Sequence, residues 1–187
     1  MGDPKKQRKK YETPRFPWRI DTLENELNLL GQYGLRNKRE LWRHKTMLSK
    51  FRGIARSVLG LSEEEGAKLK EQLLNRLKRL GMLSETAELD NVLDLTLMDI
   101  LERRLQSLVY KKGLSHSIQQ ARQLIVHAHI TIRGRKVTSP SYLVPRDEEA
   151  HILYAPSSPL SNPEHPIRQN LATSPLEAEY HAEERMP

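Results

Sequence analysis

The most informative segment of the chain runs from Arg103 to Arg146 and reads RRLQSLVYKKGLSHSIQQARQLIVHAHITIRGRKVTSPSYLVPR. It contains nine Lys and Arg residues but no Asp or Glu, although 24 of the 187 residues in the whole chain are acidic. At that frequency a segment of this length would carry about six acids. Exclusion of one charge sign is typical of a surface that faces a polyanion, because every carboxylate would repel a phosphate.

Apolar spacing in and just before this segment predicts a first helix, from about Thr96 to Gly113. The helix begins with a capping pattern and ends at a glycine that suits a C-terminal left-handed residue. Its inward-facing residues are expected to be Leu101, Leu105 and Leu108. Another face is expected to carry Arg103, Gln106 and Tyr110, which lie three and four residues apart.

A second helix and a hairpin are predicted to follow. Ser117 and Gln120 have the spacing of a capping box at the start of this helix. Its buried face is expected to consist of Ile118, Ala121, Ile125 and Ala128. Two isoleucines then alternate as in a strand, and a tight cationic turn at residues 133–136 leads into a second strand. Residues 151–154 can add a last strand, so two small helices should pack on an antiparallel sheet.

The first 20 residues are predicted to form a basic extended arm. They contain seven Lys and Arg residues and three prolines, which is a poor setting for a helix. Such an arm can remain disordered in the isolated chain, or it can become ordered against RNA. In the second case Tyr11, Phe16 and Trp18 could stack on bases or pack on neighbouring residues.

Residues 21–102 are predicted to form a helical scaffold. Asp21 is expected to cap the first helix, which should end near Gly34. The second helix should run from about Lys38 to Leu59, and its other faces are basic, with Glu40 as their acid. The buried face of this second helix is expected to be Met47, Phe51, Ile54 and Val58.

The rest of the scaffold is acidic, with ten acids and five bases in residues 57–102. Ser62 and Glu65 have capping-box spacing for a third helix that Gly81 should end. The apolar stripe of that helix is expected to be Leu69, Leu73, Leu77 and Leu80. A short segment at residues 84–92 is also predicted to be helical.

Residues 155–187 are predicted to form a C-terminal extension that is first rich in Pro and Ser and then acidic. Its apolar content is low, so an extended or disordered tail is expected in the free protein. Residues 177–184 carry four acids.

Composition excludes several classes of protein. Cys is absent, so neither a disulfide framework nor a thiolate metal site can form. No apolar run approaches the length of a membrane span, and the Lys-rich start lacks the apolar region of a secretory signal. Net charge is +7 and the pI is about 9.7, which favours an anionic partner. A cytoplasmic protein is therefore expected.

Residues suited to catalysis or metal binding do not cluster in the sequence. His127 and His129 should diverge at a helix end, and Glu148, Glu149 and His151 are close in sequence only. Zinc needs four protein ligands, or three with an open position. No Gly-rich phosphate loop or nucleophile elbow is present. The sequence therefore predicts no enzymatic activity, no metal and no cofactor.

Three short phrases carry a resemblance to a known family of RNA-binding domains. They are ARQLI at residues 121–125, HITIRG at residues 129–134 and PSY at residues 140–142. With the two short helices, they resemble the small domain first named from small-subunit ribosomal protein S-four, which is built on the alpha-L motif. That domain also occurs in some tRNA synthetases and pseudouridine synthases, so by itself it implies RNA binding but not a ribosome.

A second resemblance lies outside that domain. The phrase YGLRNKRE at residues 33–40, followed by Trp42 and Arg43, is similar to the archaeal and eukaryotic branch of the ribosomal S-four family. Tyr11 and the TPRFP phrase at residues 13–17 belong to the same pattern. This region separates the ribosomal protein from enzymes that carry the same RNA-binding domain. Some members of the family bind zinc through Cys near the N-terminus, and the lack of Cys excludes that feature here.

The resemblance implies an α+β fold that is mainly α. It divides the chain into the arm (1–20), a helical scaffold (21–102), an S-four-type RNA-binding module of two helices and an antiparallel sheet (103–154) and the extension (155–187). The residues expected to bind RNA in the module are Arg103, Arg104, Gln106, Lys111, Ser117, Gln120, Arg122, Gln123, His127, Arg133, Arg135, Lys136 and Ser141. Those expected to bind RNA before it are Arg15, Arg36, Lys38, Arg39 and Arg43.

The resemblance also implies a function. The protein would be a structural constituent of the small (30S) ribosomal subunit and would bind 16S ribosomal RNA early in assembly. It would nucleate the body of the subunit and contribute to translational accuracy near the point where mRNA enters. Its other expected partners are neighbouring small-subunit proteins, above all the S-five family protein, with no membrane and no small-molecule substrate.

Two other functions remain open from the sequence. An RNA-modifying or aminoacylating enzyme with the same module needs a separate catalytic domain, and the 102 residues before the module offer only basic and leucine-striped helices. A free RNA chaperone or DNA-binding protein would bind without preference for a folded RNA junction.

Overall fold

The computed structural model describes residues 9–172, apart from the side chains of residues 63–65 and 170–172. Its helices are α1 (Ile20–Gln32), α2 (Lys38–Leu59), α3 (Glu63–Arg79), α4 (Leu89–Asp94), α5 (Leu97–Glu102), α6 (Leu105–Lys111), α7 (Ile118–Val126), α8 (Arg146–Glu149) and α9 (Pro166–Ala172). The strands of these described residues are β1 (Ile130–Ile132), β2 (Arg135–Lys136) and β3 (Ile152–Tyr154), which form an antiparallel sheet in the order β2-β1-β3. The predicted α+β class, mainly helical, is confirmed.

Some predictions lie outside the described part of the chain. They are the first eight residues of the basic arm, the Ser62–Glu65 side-chain cap and the acidic run at residues 177–184. Within residues 9–172, every helix is too short or too polar to cross a membrane.

The chain divides into two compact units, and the division falls within α3. The first unit comprises Met1–Leu74 and Ala87–Leu97, and the second comprises Asn75–Thr86 and Met98–Pro187. The predicted boundary after residue 102 therefore falls inside the second unit.

The long helix α2 forms the centre of the first unit, and its bounds agree with the prediction. The Asn37 side chain accepts a hydrogen bond from the Glu40 amide at 3.2 Å, which caps the first turn. The buried face is Leu41, His44, Leu48, Phe51, Ala55 and Val58, against which α1 and α4 pack. Expected burial of Met47 and Ile54 was wrong, since Met47 is half-buried and Ile54 is exposed. The buried face includes a histidine and a small alanine, which a search for large apolar residues does not select.

Two of the shorter helices, α1 and α4, begin at other residues than predicted. α1 begins at Ile20, so Asp21 lies inside its first turn, where a carboxylate favours the positive end of the helix dipole. α4 begins only at Leu89, because Glu88 and Asn91 form a reciprocal capping box there. In α3, Leu73 and Leu77 are buried as expected, whereas Leu69 is exposed.

A break divides the predicted 96–113 helix into α5 and α6. The Leu105 amide donates to the Tyr142 carbonyl at 2.8 Å, and the Val144 amide donates to the Arg103 carbonyl at 3.0 Å. The segment at residues 142–144 thus takes up backbone groups that a continuous helix would pair internally. The two-residue interruption reorients the side chains that follow it.

Helix α7 and the sheet enclose the core of the second unit. Ser117 Oγ accepts from the Gln120 amide at 3.2 Å, as the capping pattern predicted, but Gln120 Oε1 accepts from the His116 amide instead of that of Ser117. The buried core is Leu105, Leu108, Val109, Ala121, Leu124, Ile125, Ile130, Ile132, Val144, Ile152 and Leu160. Leu124 replaces the expected Ile118 and Ala128, which are only half-buried.

The hairpin turn is shorter than predicted. Arg133 (φ 48°) and Gly134 (φ 77°) form a two-residue connection with both residues in the left-handed region, as a tight hairpin requires. Arg135 already pairs with Ile132, so Arg135 and Lys136 belong to β2. The predicted strand near residues 151–154 is confirmed as β3, which pairs with β1.

Part of the C-terminal extension is folded. A 3₁₀ turn at Pro159–Ser161 buries Leu160 in the core of the second unit, and α9 follows it. Up to residue 172, the expectation of an extended tail is therefore wrong. The reason is that one well-placed leucine anchors a segment whose mean composition is polar.

Candidate nucleic-acid interface

The β1–β2 hairpin exposes three cations. Arg133, Arg135 and Lys136 are all exposed, and they occupy four consecutive residues with the Gly134 of the turn. The Arg133 guanidinium donates to the Asp147 carbonyl at 3.3 Å, which holds this side chain towards α8. The tight turn therefore projects a dense positive charge from a rigid support.

Helix α7 adds hydrogen-bonding groups. Gln123 and His127 are exposed, while Arg122 is half-buried with its Nη1 3.5 Å from Gln106 Oε1. Ser117 is exposed at the first turn, and Gln120 is half-buried with its carbonyl oxygen engaged. These groups suit contacts to phosphates and 2′-hydroxyls.

Arg103 is directed into the protein. Its Nη1 forms an ion pair with Glu149 Oε2 at 2.7 Å, and its Nη2 donates to the Val144 carbonyl at 3.0 Å. Gly81 (φ 68°) approaches the guanidinium so closely that a Cβ there would lie 3.2 Å from Arg103 Cζ. The structure thus gives Arg103 a role in the fold.

Lys111, another predicted contact residue, is exposed, and its Nζ pairs with Glu102 Oε2 at 3.0 Å.

Two further predicted contact residues lie in the interior. Arg104 and Gln106 are fully buried, and Gln106 Nε2 donates to the Ile118 carbonyl at 2.9 Å, which joins α6 to α7. The prediction that Gln106 faces outward was wrong. It assumed a continuous helix over residues 96–113, and that helix is broken at residues 103–104.

Helix α8 places carboxylates beside the acid-free segment. Glu149 pairs with Arg103, and Glu148 Oε2 accepts from the Tyr142 hydroxyl at 2.9 Å. Burial raises the pKa of Tyr142, and the hydrogen bond to Glu148 and the negative charge of Glu148 raise it further. The positive charges of Arg79 and Arg133 lower this pKa by less. Lys112 Nζ also donates to the Glu149 carbonyl. The folded module is therefore less uniformly basic than its sequence.

A cavity of about 410 Å³ lies beside the hairpin. Its lining residues are Ile132, Arg133, Arg135, Val137, Tyr142 and Glu148. Ser141, next to Tyr142, is exposed and lies 3.3 Å from Ser139 between their hydroxyl oxygens. The cavity could not be predicted from the spacing of residues 103–146, because Glu148 lies beyond that segment and comes next to Tyr142 only in the fold.

The first unit carries its own exposed cations. Arg36, Arg39 and Arg43 are exposed at the start of α2 and just before it. Arg15 is exposed and lies over the Phe16 ring at 5.6 Å. Lys38 is half-buried and pairs with Glu26 at 3.1 Å.

The arm from residue 9 onward packs on α2 through an aromatic contact. Tyr11 lies 5.9 Å from Trp42 between ring centroids, and the Glu12 amide donates to Thr46 Oγ1 at 3.0 Å. Phe16 and Trp18 remain 65% and 85% exposed. These aromatic residues were expected either to stack on bases or to pack on neighbouring residues, and Tyr11 packs on its neighbour Trp42.

Comparison with known families identifies both parts of the chain. Residues 103–149 match the S4 domain, and residues 5–102 match the ribosomal protein S4/S9 N-terminal domain. The chain belongs to the ribosomal protein S4 family. The family resemblance drawn from the sequence is therefore confirmed.

Archaeal members of the S4 family are similar over most of their length. The proteins named small ribosomal subunit protein uS4 from Hyperthermus butylicus and Ignicoccus hospitalis are 57% and 55% identical over 159 residues. These matches cover 85% of this chain and 90% and 96% of the relatives. The uS4 of Methanothermobacter thermautotrophicus is 48% identical over 160 residues, which cover 86% of this chain and 94% of that protein.

No metal-binding constellation is present among residues 9–172 of this S4-family chain. Groups of three or more His, Cys, Asp and Glu that could hold a metal ion do not occur there. His127 and His129 lie 6.4 Å apart between ring centroids, and His129 Nδ1 is 2.9 Å from Ser158 Oγ. His127 is thus the C-cap of α7, and His129 contacts the C-terminal extension.

Proposed function

We propose that the chain is a structural constituent of the small ribosomal subunit and binds ribosomal RNA through an exposed surface of the module. The relatives carry the name of a small-subunit protein, and the match extends over both the S4 domain and the N-terminal domain. One observation supports this surface most strongly: the β1–β2 hairpin exposes three cations, while Arg103 and Arg104 are held in the interior.

We define the RNA surface by its exposed or half-buried polar members. They are Lys111, Ser117, Gln120, Arg122, Gln123, His127, Arg133, Arg135, Lys136 and Ser141. Arg103, Arg104 and Gln106 leave the predicted set, because their side chains engage the fold. The exposed Arg15, Arg36, Arg39 and Arg43 form a second proposed surface in the first unit, with Lys38 half-buried beside Glu26.

This surface would recognise the shape of RNA. Exposed Arg and Lys side chains displace counterions from phosphates, and Arg can bind a phosphate through two parallel hydrogen bonds. Gln, Ser and His can bond to 2′-hydroxyls, which distinguish RNA from DNA. The bonds from Arg103 to Glu149 and to the Val144 carbonyl hold the segment before α8 in place, so the cations are presented without further ordering.

The finer assignment rests on the family. The RNA would be 16S ribosomal RNA at a folded junction, bound early enough to nucleate the body of the subunit. The protein would lie near the S-five family protein and the point where mRNA enters, where it contributes to accuracy. It would act in the cytoplasm as part of the ribosome, with a structural rather than an enzymatic function.

A binding experiment tests the surface. Arg135→Ala should weaken binding to a folded junction from small-subunit RNA by about 1–3 kcal/mol, the scale of a charged hydrogen bond. Lys70→Ala is the matched control, because Lys70 is exposed on α3 and lies outside both surfaces. Fluorescence anisotropy at fixed salt measures both affinities. Equal losses in the two variants would contradict the assigned surface.

A second experiment tests membership of the subunit. The tagged chain should be recovered with small-subunit particles when a lysate is separated on a density gradient. Recovery only at the top of the gradient, together with equal affinity for junction and unstructured RNA, would instead indicate a free RNA chaperone.

A further inference from the structure

We propose that the cavity beside the hairpin binds one guanine nucleotide extruded from the bound RNA. This inference rests on the proposed function and adds recognition of a base to the recognition of phosphates. Its volume of about 410 Å³ is in the range of clefts that bind small ligands. The side chains around it supply the three kinds of contact that a nucleotide needs.

The first contact is for the phosphate. Arg133 and Arg135 both line the cavity, and both are exposed. The Arg133 guanidinium donates to the Asp147 carbonyl at 3.3 Å, which holds it towards α8, the helix that contains the lining residue Glu148. Two arginines that line the cavity suit a backbone phosphate on each side of a displaced nucleotide.

The second contact is for the face of the base. Tyr142 lines the cavity and is 37% exposed, so part of this residue remains accessible. Ile132 and Val137 add an apolar wall. An aromatic ring beside aliphatic side chains is the usual environment for a base that has left its stack.

The third contact is for the edge of the base. Glu148 lines the cavity, and its Oε2 accepts from the Tyr142 hydroxyl at 2.9 Å, which orients the carboxylate. A carboxylate offers two acceptor oxygens and no donor. Its negative charge repels a phosphate, so it favours binding only where the ligand presents hydrogen-bond donors to it. Guanine presents two neighbouring donors, N1–H and the N2 amino group, on its Watson–Crick edge. Adenine, cytosine and uracil place acceptors beside their single donor group and fit a carboxylate less well.

The test compares three hexaribonucleotides with the full chain. One contains only uridine, one contains a single guanosine in uridine, and one contains inosine at the same position. The guanosine hexamer should bind about tenfold more tightly than the uridine hexamer, and the inosine hexamer should be intermediate because it lacks the N2 amino group. Equal affinities for all three would overturn the proposal.

Glu148→Gln shows whether the carboxylate reads the base. The ratio of the two affinities, guanosine over uridine, should fall to about one, although binding of every RNA strengthens when a negative charge is removed. Glu164→Gln removes the same charge from an exposed residue outside the cavity and should keep the ratio. An unchanged ratio in Glu148→Gln would overturn the proposal.

Tyr142→Leu and Tyr142→Phe separate stacking from folding. The leucine variant should bind the guanosine hexamer about tenfold more weakly, on the scale of one base stacked on an aromatic ring, while the phenylalanine variant keeps the ring. Equal affinities in the two variants would contradict stacking. Circular dichroism checks that both are folded.

Free nucleotide distinguishes the source of the guanine. Guanosine monophosphate should bind about tenfold more weakly than the guanosine hexamer, because it carries only one of the two phosphates that flank the guanosine in the hexamer. Equal affinity would assign the cavity to a free nucleotide and overturn the RNA assignment. If Arg135→Ala weakens junction binding but the hexamers show no guanosine preference, only the proposal for the cavity is overturned. If the unmodified chain does not bind the junction, the proposed function itself is overturned.

Discussion

Individual arginines have two different roles in the module. Arg135 is exposed on the hairpin, whereas Arg103 bonds to Glu149 and to the Val144 carbonyl. A guanidinium with both ends engaged in the protein stabilises the fold, and one that faces solvent remains available for phosphate. The same residue type thus stabilises the fold in one place and is proposed to bind RNA in another.

Replacing Arg103 tests this division of roles. Arg103→Ala should lower the free energy of unfolding by about 1–3 kcal/mol, because it leaves the half-buried Glu149 and the Val144 carbonyl without this partner. Urea unfolding measures the loss, and Arg135→Ala is the control that should change stability little. A loss of RNA affinity in Arg103→Ala without a loss of stability would contradict the role in the fold.

The pKa of Tyr154 predicts that the stability of the protein depends on pH. Burial raises this pKa from its ordinary value of 10.0, and the positive charge of Arg168 lowers it by less. The Tyr154 hydroxyl donates to the Leu114 carbonyl at 2.7 Å. Folding therefore favours the neutral phenol. The resulting stability is fully present below pH 10 and is lost as the pH rises through the higher pKa of the folded protein.

Tyr154→Phe checks this dependence. Its urea midpoint should fall less steeply than that of the unmodified protein when the pH is raised above 10. Parallel curves for the two proteins would show that the Tyr154 pKa does not differ between the folded and unfolded states.

Which arginines are exposed could not be read from the sequence. Charge exclusion in residues 103–146 indicated a basic surface, and the exposure of the three hairpin cations followed from the turn that carries them. The burial of Arg104 and Gln106 depends on a helix break whose backbone partners, at residues 142–144, are about forty positions further along the chain. Local periodicity contains no information about such a partner.

Secondary-structure elements were predictable where their signals are local. Asn37, at the start of α2, and Ser117, at the start of α7, cap their helices through their own side chains, and the bounds of α2 agree with the prediction. α8 and the folded part of the C-terminal extension were missed. In both cases a short polar segment is ordered by a few tertiary contacts, among them Glu149 with Arg103 and Leu160 in the core.

Leu160→Ala tests whether the extension belongs to the core of the second unit. Leu160 is buried, so its truncation should cost about 2–5 kcal/mol of unfolding free energy. Leu153→Ala is the matched control, because Leu153 is 61% exposed and should lose about 0.5 kcal/mol or less. Comparable losses in urea unfolding would contradict the anchoring of the extension by Leu160.

The molecule as a whole carries alternating blocks of charge. Residues 103–146 hold nine bases and no acids, whereas residues 57–102 hold ten acids and five bases. Repulsion by the acidic blocks would direct RNA towards the basic surfaces, and binding to them should weaken as salt screens the charges. Net charge alone would predict indiscriminate binding of polyanions, so we infer that recognition of a folded RNA depends on the placement of a few exposed side chains.

A density map of the small ribosomal subunit that contains this chain tests the central claim most directly. We predict that the side chains of Arg122, His127, Arg133 and Arg135 lie against ribosomal RNA, while Arg103 keeps its contact with Glu149. A map in which the hairpin cations face solvent or another protein, with no nucleotide within hydrogen-bonding distance, would contradict the account.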